Sequence, residues 1–209
     1  MAEYLIQEET LTAIADAVKS KIKWQETAWD LVANKRNFSG TLPDGLKEVG
    51  NHAFDGCAGL VIPFLPNSIQ RIKDAAFYGC YILALTSLPE SLVSIDTRSF
   101  AWCSALALTS LPENLVSIGI AAFQGCSSLA ITSIPESVTT IRDQAFDGCT
   151  NLTSITFKGT PTMIGSTDWP AFANCDNLTV INVPWAEGEV AGAPWGATNA
   201  TINYNYTGG

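Results

Sequence analysis

The sequence predicts a repeat solenoid that is mainly β, built from short parallel strands and turns, with a helical N-terminal cap. Cysteine recurs at a constant sequence step of 23, with a last step of 26, at Cys57, Cys80, Cys103, Cys126, Cys149 and Cys175. A phenylalanine lies three positions before each cysteine, at Phe54, Phe77, Phe100, Phe123, Phe146 and Phe172. Self-similarity at a fixed period is typical of chains in which every repeat packs only against its neighbours.

Proline marks the boundaries of the repeats. It recurs with the same period as cysteine at Pro43, Pro66, Pro89, Pro112 and Pro135, and the series continues at Pro161 and Pro184. Aligning the prolines places three additional residues in the segment TSITFKGTP. The six predicted coils are 43–65 (coil one), 66–88 (coil two), 89–111 (coil three), 112–134 (coil four), 135–160 (coil five) and 161–183 (coil six). Because proline has no N–H, we expect it at turns or strand ends.

Apolar residues within one coil follow neither the helical period nor a long alternation. In coil three they are Leu92, Ile95, Phe100, Cys103, Leu106, Leu108 and Leu111. This spacing fits a chain that circles one core and returns about 4.8 Å higher, one strand spacing away. The segment LALTSLPE occurs at both 83–90 and 106–113, as expected if stacked strands need matching side chains. LVSI and VTTI predict a second short strand, and RDQAFDGC predicts a tight turn or one helical turn with phenylalanine pointing inward.

The cysteines are expected to be buried thiols rather than disulfides or metal ligands. One thiol per period is a ladder position, and a small buried thiol behaves as a compact apolar group. Zinc ligands normally come in close pairs such as CxxC, and the sequence contains none. We therefore expect neither a metal nor a cofactor.

The repeat unit resembles a known class. In its clearest form it reads C-x-x-L-x-x-I-x-[IF]-P-x-x-[VL]-x-x-I-x-x-x-A-F-x-G-C, which is similar to the BspA-like leucine-rich repeats over residues 43–183. In the middle coils the leucines follow cysteine by three, five and eight positions rather than three, six and eight. The resemblance implies a leucine-rich repeat solenoid. Repeats of this class often suggest an adhesin, so the resemblance also implies a role in adhesion.

The two ends are predicted to cap the coils, since a solenoid leaves its terminal coils open. Residues 1–42 contain TLTAIADAVKSKIK, which forms an apolar helical stripe, and predict a helical cap or, alternatively, a segment for tail docking or homo-oligomer formation. Residues 184–209 predict a β cap, with Trp185 and Trp195 covering the core and a strand containing Ile202, Tyr204 and Tyr206. Both ends resemble tail-associated proteins of phages and prophages from gut Firmicutes.

Charge and composition exclude several function classes. The formal net charge of −9 opposes binding to nucleic acid or to an anionic bilayer. The sequence contains no run of about 18 apolar residues, so we do not expect membrane insertion. The acidic residues near the start are unlike the basic start of a signal peptide. His52 is the only histidine, and the carboxylates Glu90, Glu113 and Glu136 fit a solvated row. We therefore do not expect an enzyme.

Variation between coils identifies a candidate binding patch. The strand segments barely change, whereas the residues around phenylalanine and cysteine change sharply, from AAFYGCYI to RSFAWCSA and AAFQGCSS. Equivalent positions on adjacent coils are near neighbours, and exposed Tyr, Trp and Arg are favoured at binding hot spots. The candidate ligand-binding residues are Tyr78, Tyr81, Ile82, Arg98, Trp102 and Gln124.

These observations favour a noncatalytic recognition or adhesion module. The first hypothesis is a receptor-binding protein of a phage or prophage tail, located in the virion, that binds a protein or glycan on a bacterial surface. The alternative is an extracellular bacterial cell-surface adhesin that binds host protein or matrix. The sequence leaves a third interpretation open, in which the variable turn residues simply tolerate change.

Overall fold

The computed structural model describes residues 39–208 except Pro43, and in that part of the chain it contains strands and turns but no helix. A helix that could cross a membrane is accordingly not found among these residues. Residues 1–38, which contain the predicted helical stripe, lie outside the described residues.

Six strands form one parallel sheet, one strand per coil. They are β1 (Glu48–Val49), β2 (Arg71–Ile72), β3 (Ser94–Ile95), β4 (Ser117–Ile118), β6 (Thr140–Ile141) and β8 (Met163–Ile164). Each pairs with the next exactly one period along the sequence, as in Ser94 with Ser117 and Thr140 with Met163. The second residue of each strand is aliphatic and buried, because alternate side chains of a strand point to opposite faces. This sheet confirms the strand predicted after each proline.

Four strands form a second parallel sheet on the C-terminal coils. They are β5 (Ser133–Ile134), β7 (Ser154–Phe157), β9 (Val180–Asn182) and β10 (Thr201–Asn203). One apolar core runs through all coils, and the second sheet contributes to it in the C-terminal coils. Its residues are buried only because neighbouring coils cover them, so the repeats stabilise one another.

The phenylalanines form a continuous stack through this core. Successive rings from Phe54 to Phe172 lie 5.1–5.6 Å apart between centroids, with interplanar angles of 2–8°. One phenylalanine at the same place in every coil makes this regular spacing possible. The stack confirms the predicted inward orientation of these side chains.

The cysteines form a second column, and hydrogen bonds explain why each cysteine follows phenylalanine by three positions in the sequence. Cys80 Sγ donates to the carbonyl oxygen of Phe54 in the preceding coil at 3.1 Å, and Cys103 does the same to Phe77 at 3.0 Å. The bond recurs in every later coil. All six cysteines are buried, which confirms the predicted ladder. Burial raises the pKa of the Cys126 thiol and raises that of Cys175 to about 12.

The structure corrects the predicted place of the three additional residues. Thr140 pairs with Met163, and Ile134 pairs with Phe157, both one regular period apart, so TSITFKGTP holds no insertion. Phe146 and Phe172 are separated by the longer last step yet stack at 5.1 Å. The extra residues therefore lie between β8 and Phe172. The proline alignment was misleading because Pro161 does not occupy the position of Pro135.

The structure also corrects the expected strand at LALTSL. Residues 83–88 and 106–111 adopt no regular strand. Leu85 and Leu88 are both buried while Thr86 and Ser87 between them are exposed, so two successive residues face solvent and the alternation of a strand is interrupted. Adjacent coils are still joined here by backbone bonds, such as the one from Ala107 N–H to Leu85 O at 3.1 Å.

An aromatic cluster lies beyond the end of the phenylalanine stack. Phe157 contacts Phe172 edge-on at 6.4 Å, Trp185 at 5.3 Å and Trp195 at 6.0 Å between ring centroids. Both tryptophans are buried, and Trp195 Nε1 donates to Ala191 O at 2.8 Å. The predicted C-terminal strand contains Ile202 but ends at Asn203, before either terminal tyrosine.

Candidate functional site

The candidate residues lie on turns that stack into one edge of the solenoid. This turn edge comprises residues 52–59, 75–82, 98–105, 121–128, 144–151 and 170–177. Backbone bonds join successive turns, with Gly79 N–H donating to Ala101 O at 2.8 Å and Trp102 N–H donating to Gln124 O at 2.6 Å. Side chains from different coils are thereby held side by side, which places the six predicted residues on a common edge.

Most turns have a glycine in the left-handed region directly before cysteine. It is glycine in four coils and asparagine in coil six, at Gly56, Gly79, Gly125, Gly148 and Asn174. In coil three the residue is Trp102, with φ 65°. A bulky residue in this region is a backbone outlier, since its Cβ is crowded by the adjacent carbonyl. The turn favours glycine here, and coil three has tryptophan.

The indole of Trp102 lies against the next turn. A Cβ added to Gly125 would lie only 2.5 Å from Cε3 of the indole, so the ring rests directly on the glycine backbone. Trp102 nevertheless remains 45% exposed. Because residue 125 is glycine and has no side chain, the indole ring of Trp102 can pack directly on its backbone. The outer face of the ring is open to solvent.

The remaining predicted residues flank Trp102. Tyr81 and Ile82 are exposed, Tyr78 is half-buried and Arg98 is exposed at φ 55°. The ring of Tyr81 leans over Gly79, with its hydroxyl 3.9 Å from the position of a Cβ there. Among the described residues, every aromatic pair in contact belongs to the core, so these side chains share an edge without stacking on one another.

Gln124 belongs to a polar cluster that was not identified from the sequence. The cluster consists of Gln124, Gln144, Asp147 and Asn174. Gln124 Nε2 donates to Asp147 Oδ2 at 2.9 Å, Asn174 Nδ2 donates to Oδ1 at 2.7 Å, and Gln144 Nε2 lies 3.4 Å from Oδ2. These residues occupy the same window of the repeat as the predicted patch, but amides and carboxylates in turns carry no distinctive signal.

Trp169, which is 57% exposed, was also missed from the sequence. It lies in the inserted segment between β8 and Phe172. Gly165 adopts φ 59°, and a Cβ there would lie 2.7 Å from Ala171 N, so this turn needs glycine. Trp169 N–H donates to Ser166 Oγ at 3.2 Å. The longer last step between cysteines was the available signal, because it marks the turn that contains three additional residues.

Titratable groups elsewhere in the described part of the chain also form contacts with one another. His52 Nδ1 lies 2.9 Å from Asp55 Oδ2 in the turn of coil one, and Lys158 Nζ pairs with Glu113 Oε1 at 2.6 Å in the predicted carboxylate row. Within residues 39–208, no group of His, Cys, Asp and Glu is arranged to hold a metal ion. Because burial raises the pKa of the Cys126, Cys149 and Cys175 thiols, these remain protonated near neutral pH.

Comparison with known proteins agrees with this architecture. A family model described as BspA type leucine rich repeat region matches in six copies, over residues 33–131 and 76–189. The fold is similar to that of a leucine-rich repeat protein from Bacteroides ovatus, with 31% identity and a TM-score of 0.55. It is also similar to the leucine rich repeat protein of T. pallidum, with 31% identity and a TM-score of 0.57.

The comparisons concern the repeats and not the whole of every relative. The alignment covers 66% of this chain and 35% of the B. ovatus chain, so this chain spans about a third of that protein. With the T. pallidum protein it covers 71% and 72%, respectively. No curated protein matches. The comparisons do not support the resemblance of the two ends to phage tail proteins. Since the matched repeats make up most of the chain, it belongs to the BspA type leucine-rich repeat family.

Proposed function

We propose that this chain is a noncatalytic recognition module that binds a protein or glycan on a cell surface through the turn edge of coils two to four. The observation that carries the proposal is Trp102. It replaces the glycine that the turn favours, adopts a left-handed backbone and keeps nearly half of its surface exposed.

Energetics support a binding role for this side chain. A residue with a Cβ in the left-handed region costs about 1–2 kcal/mol relative to an unstrained backbone. Packing on Gly125 offsets part of that cost, but it leaves the outer ring face without a partner in the described chain. Strained residues of this kind cluster at functional sites, where the surrounding structure holds them in place. A ligand that covers the outer face would gain most from such an indole.

The neighbouring residue types fit the same role. Tyr81 and Ile82 are about half exposed and Arg98 is exposed, all within one coil of Trp102. Tyrosine, tryptophan and arginine dominate binding hot spots, and a continuous exposed apolar patch marks an interaction surface. The ladder hydrogen bonds hold the backbone beneath them rigid, so little conformational entropy is lost on binding.

Two biological settings are compatible with this surface. In the first, the module belongs to a phage or prophage tail and recognises a bacterial surface. In the second, it belongs to a bacterial cell-surface adhesin and binds host protein or matrix. The family match covers the repeats alone, so both settings stand equally. Neighbouring genes decide between them: tail-assembly genes support the first, and genes for surface-anchored proteins support the second.

The ends belong to the same proposal. We divide the chain into a cap or docking segment at 1–42, six repeats at 43–183 and a C-terminal β cap at 184–209.

Binding of the fluorescently labelled full chain to candidate bacterial and host cells tests the proposal. Trp102→Gly combined with Tyr81→Ser removes the aromatic surface from positions that tolerate glycine or face solvent, and we expect binding to fall by at least about tenfold. The matched control is Phe64→Ser, because Phe64 is 52% exposed and lines a groove with Asp44 and Pro89, away from the turn edge. Equal binding by both variants refutes the proposed surface.

A further inference from the structure

The turn edge carries an ordered polar cluster, and a second exposed tryptophan, Trp169, lies directly before the last turn of this edge. From this arrangement we infer that the turn edge binds a neutral carbohydrate, with Trp102 and Trp169 as aromatic platforms and the cluster centred on Asp147 as the hydrogen-bonding group. This assignment rests on the proposed function and names the ligand class for that surface.

The polar cluster is ordered yet accessible. Three amides, those of Gln124, Gln144 and Asn174, converge on the Asp147 carboxylate at 2.7–3.4 Å. Gln124, Gln144 and Asp147 are half-buried and Asn174 is exposed. Within the described chain, the amide oxygens of these three side chains accept no hydrogen bond. The cluster therefore presents fixed acceptors and remaining N–H donors to solvent.

Trp102 borders this cluster on one side. Its indole rests on Gly125, the residue directly after Gln124. Gly125 N–H donates to the backbone carbonyl of Asp147 at 2.8 Å, which fixes the turn below the indole next to the cluster.

Trp169 adjoins the cluster through the backbone of Gln144. Gln144 N–H donates to the Trp169 carbonyl at 3.2 Å, so the two residues are held together by backbone. The hydrogen bond to Ser166 and the left-handed Gly165 give the segment a defined turn, and the indole is still 57% exposed. Two tryptophans with exposed side chains are thus joined to one amide and carboxylate cluster, each through a neighbouring turn.

A carbohydrate is the ligand class that fits both features. A sugar ring has an apolar C–H face that packs on an indole, and its rim carries hydroxyl groups that both donate and accept hydrogen bonds. Amides and a carboxylate provide both partners, and their mutual bonds hold them in place before binding. A peptide segment with large apolar side chains would instead leave the cluster desolvated and unpaired, which is costly.

The surrounding charge selects against acidic sugars. Asp143, Asp168 and Asp176 lie at most two positions along the chain from the cluster or from Trp169, against one arginine, Arg142. With Asp147 this makes a net negative surface, in a chain whose formal charge is −9. Uronates and sialylated chains would be repelled at low ionic strength. We therefore expect neutral polysaccharides to bind and acidic ones to bind weakly.

The test combines a ligand-class measurement with matched variants. The full chain is run by affinity electrophoresis through soluble neutral β-glucan, mannan and galactan and through polygalacturonate. We expect retardation by at least one neutral polymer and little by polygalacturonate. Trp169→Ala and Asp147→Ala should each weaken that retardation about tenfold, and Phe64→Ala should not change it. Trp169 is exposed, so its variant keeps the fold even if Asp147→Ala does not.

A parallel measurement distinguishes this inference from the proposed function. Cells that bind the chain are treated either with protease or with periodate, which cleaves vicinal diols of sugars. Binding that survives protease and is lost after periodate supports the carbohydrate. Binding lost after protease alone overturns it and leaves the recognition module intact. Unchanged binding by Trp169→Ala overturns the assigned site, and absence of binding to any cell or polymer overturns both proposals.

Discussion

Replacing Trp102 by glycine in one variant and by alanine in another tests whether the left-handed backbone at this position destabilises the fold. At φ 65° a residue with a Cβ costs about 1–2 kcal/mol relative to glycine. The greater freedom of glycine in the unfolded chain offsets about 0.5–1 kcal/mol of that difference. We therefore expect W102G to be more stable than W102A by about 0.5–1 kcal/mol, the reverse of the usual order for these two residues.

Both variants should be less stable than the natural chain. Slightly more than half of the Trp102 surface is covered, largely by the turn at Gly125. Losing about 100 Å² of buried apolar area at about 25 cal/mol per Å² costs about 2.5 kcal/mol. W102A keeps the left-handed strain and loses this contact, so we expect a free energy of unfolding about 2–3 kcal/mol lower. W102G should lie between W102A and the natural chain.

Urea unfolding followed by far-UV circular dichroism measures these differences without relying on tryptophan fluorescence. The matched control is Ala105→Gly, in the same coil but outside the left-handed region, where glycine should cost about 0.5–1 kcal/mol. If W102A is as stable as W102G while the control behaves as expected, Trp102 is not strained. Backbone strain then gives no support to its binding role.

Three further predictions concern the packing between coils. Burial raises the pKa of Cys126, so the contribution of this thiol to stability is fully present below about pH 8.5 and declines above it by up to about 1.4 kcal/mol per pH unit. The free energy of unfolding of C126A, measured with urea, should therefore decline less steeply with pH than that of the natural chain. An equal decline contradicts the burial of this thiol. Gly119→Ala should lower the free energy of unfolding by about 1–3 kcal/mol, since its Cβ would lie 2.6 Å from Asp96 C; an unchanged urea midpoint would speak against this close packing. Trp195→Ala should cost about 3–5 kcal/mol by opening the cluster around Phe157, and thermal unfolding that is unaltered would exclude a sealing role.

The periodic part of the fold was predictable from sequence because it depends on equal steps. A cysteine in every period and a phenylalanine three positions earlier specify two columns, and the structure contains both, with Cys103 Sγ bonded to Phe77 O as one rung. The proline alignment predicted the wrong place for the three additional residues. The reason is that proline positions depend on where turns allow proline, and not on which strand residues pair. The pairing of Thr140 with Met163, which only the sheet reveals, shows that the insertion follows β8.

The candidate site was predictable only in part, for a related reason. Variation between coils pointed to Trp102 and its neighbours, because a departure from the repeat is visible in the letters alone. The polar cluster was not visible, since Asn174 reaches Asp147 from the next coil and only the stacked turns bring the two side chains to 2.7 Å. The exposure of Trp169 likewise depends on the conformation of the inserted turn.

The amino-acid order by itself determined that the chain stacks in coils, which residues fill each column and which turns depart from the pattern. Those properties follow from local repetition, since each coil packs on a near copy of itself. Only the tertiary structure decided the register after the insertion, the left-handed backbone under Trp102 and the meeting of amides at Asp147. Some of these contacts join residues that lie one period or more apart in the sequence, and others depend on how one turn packs on the next. The spacing of residues within a single coil therefore does not predict them.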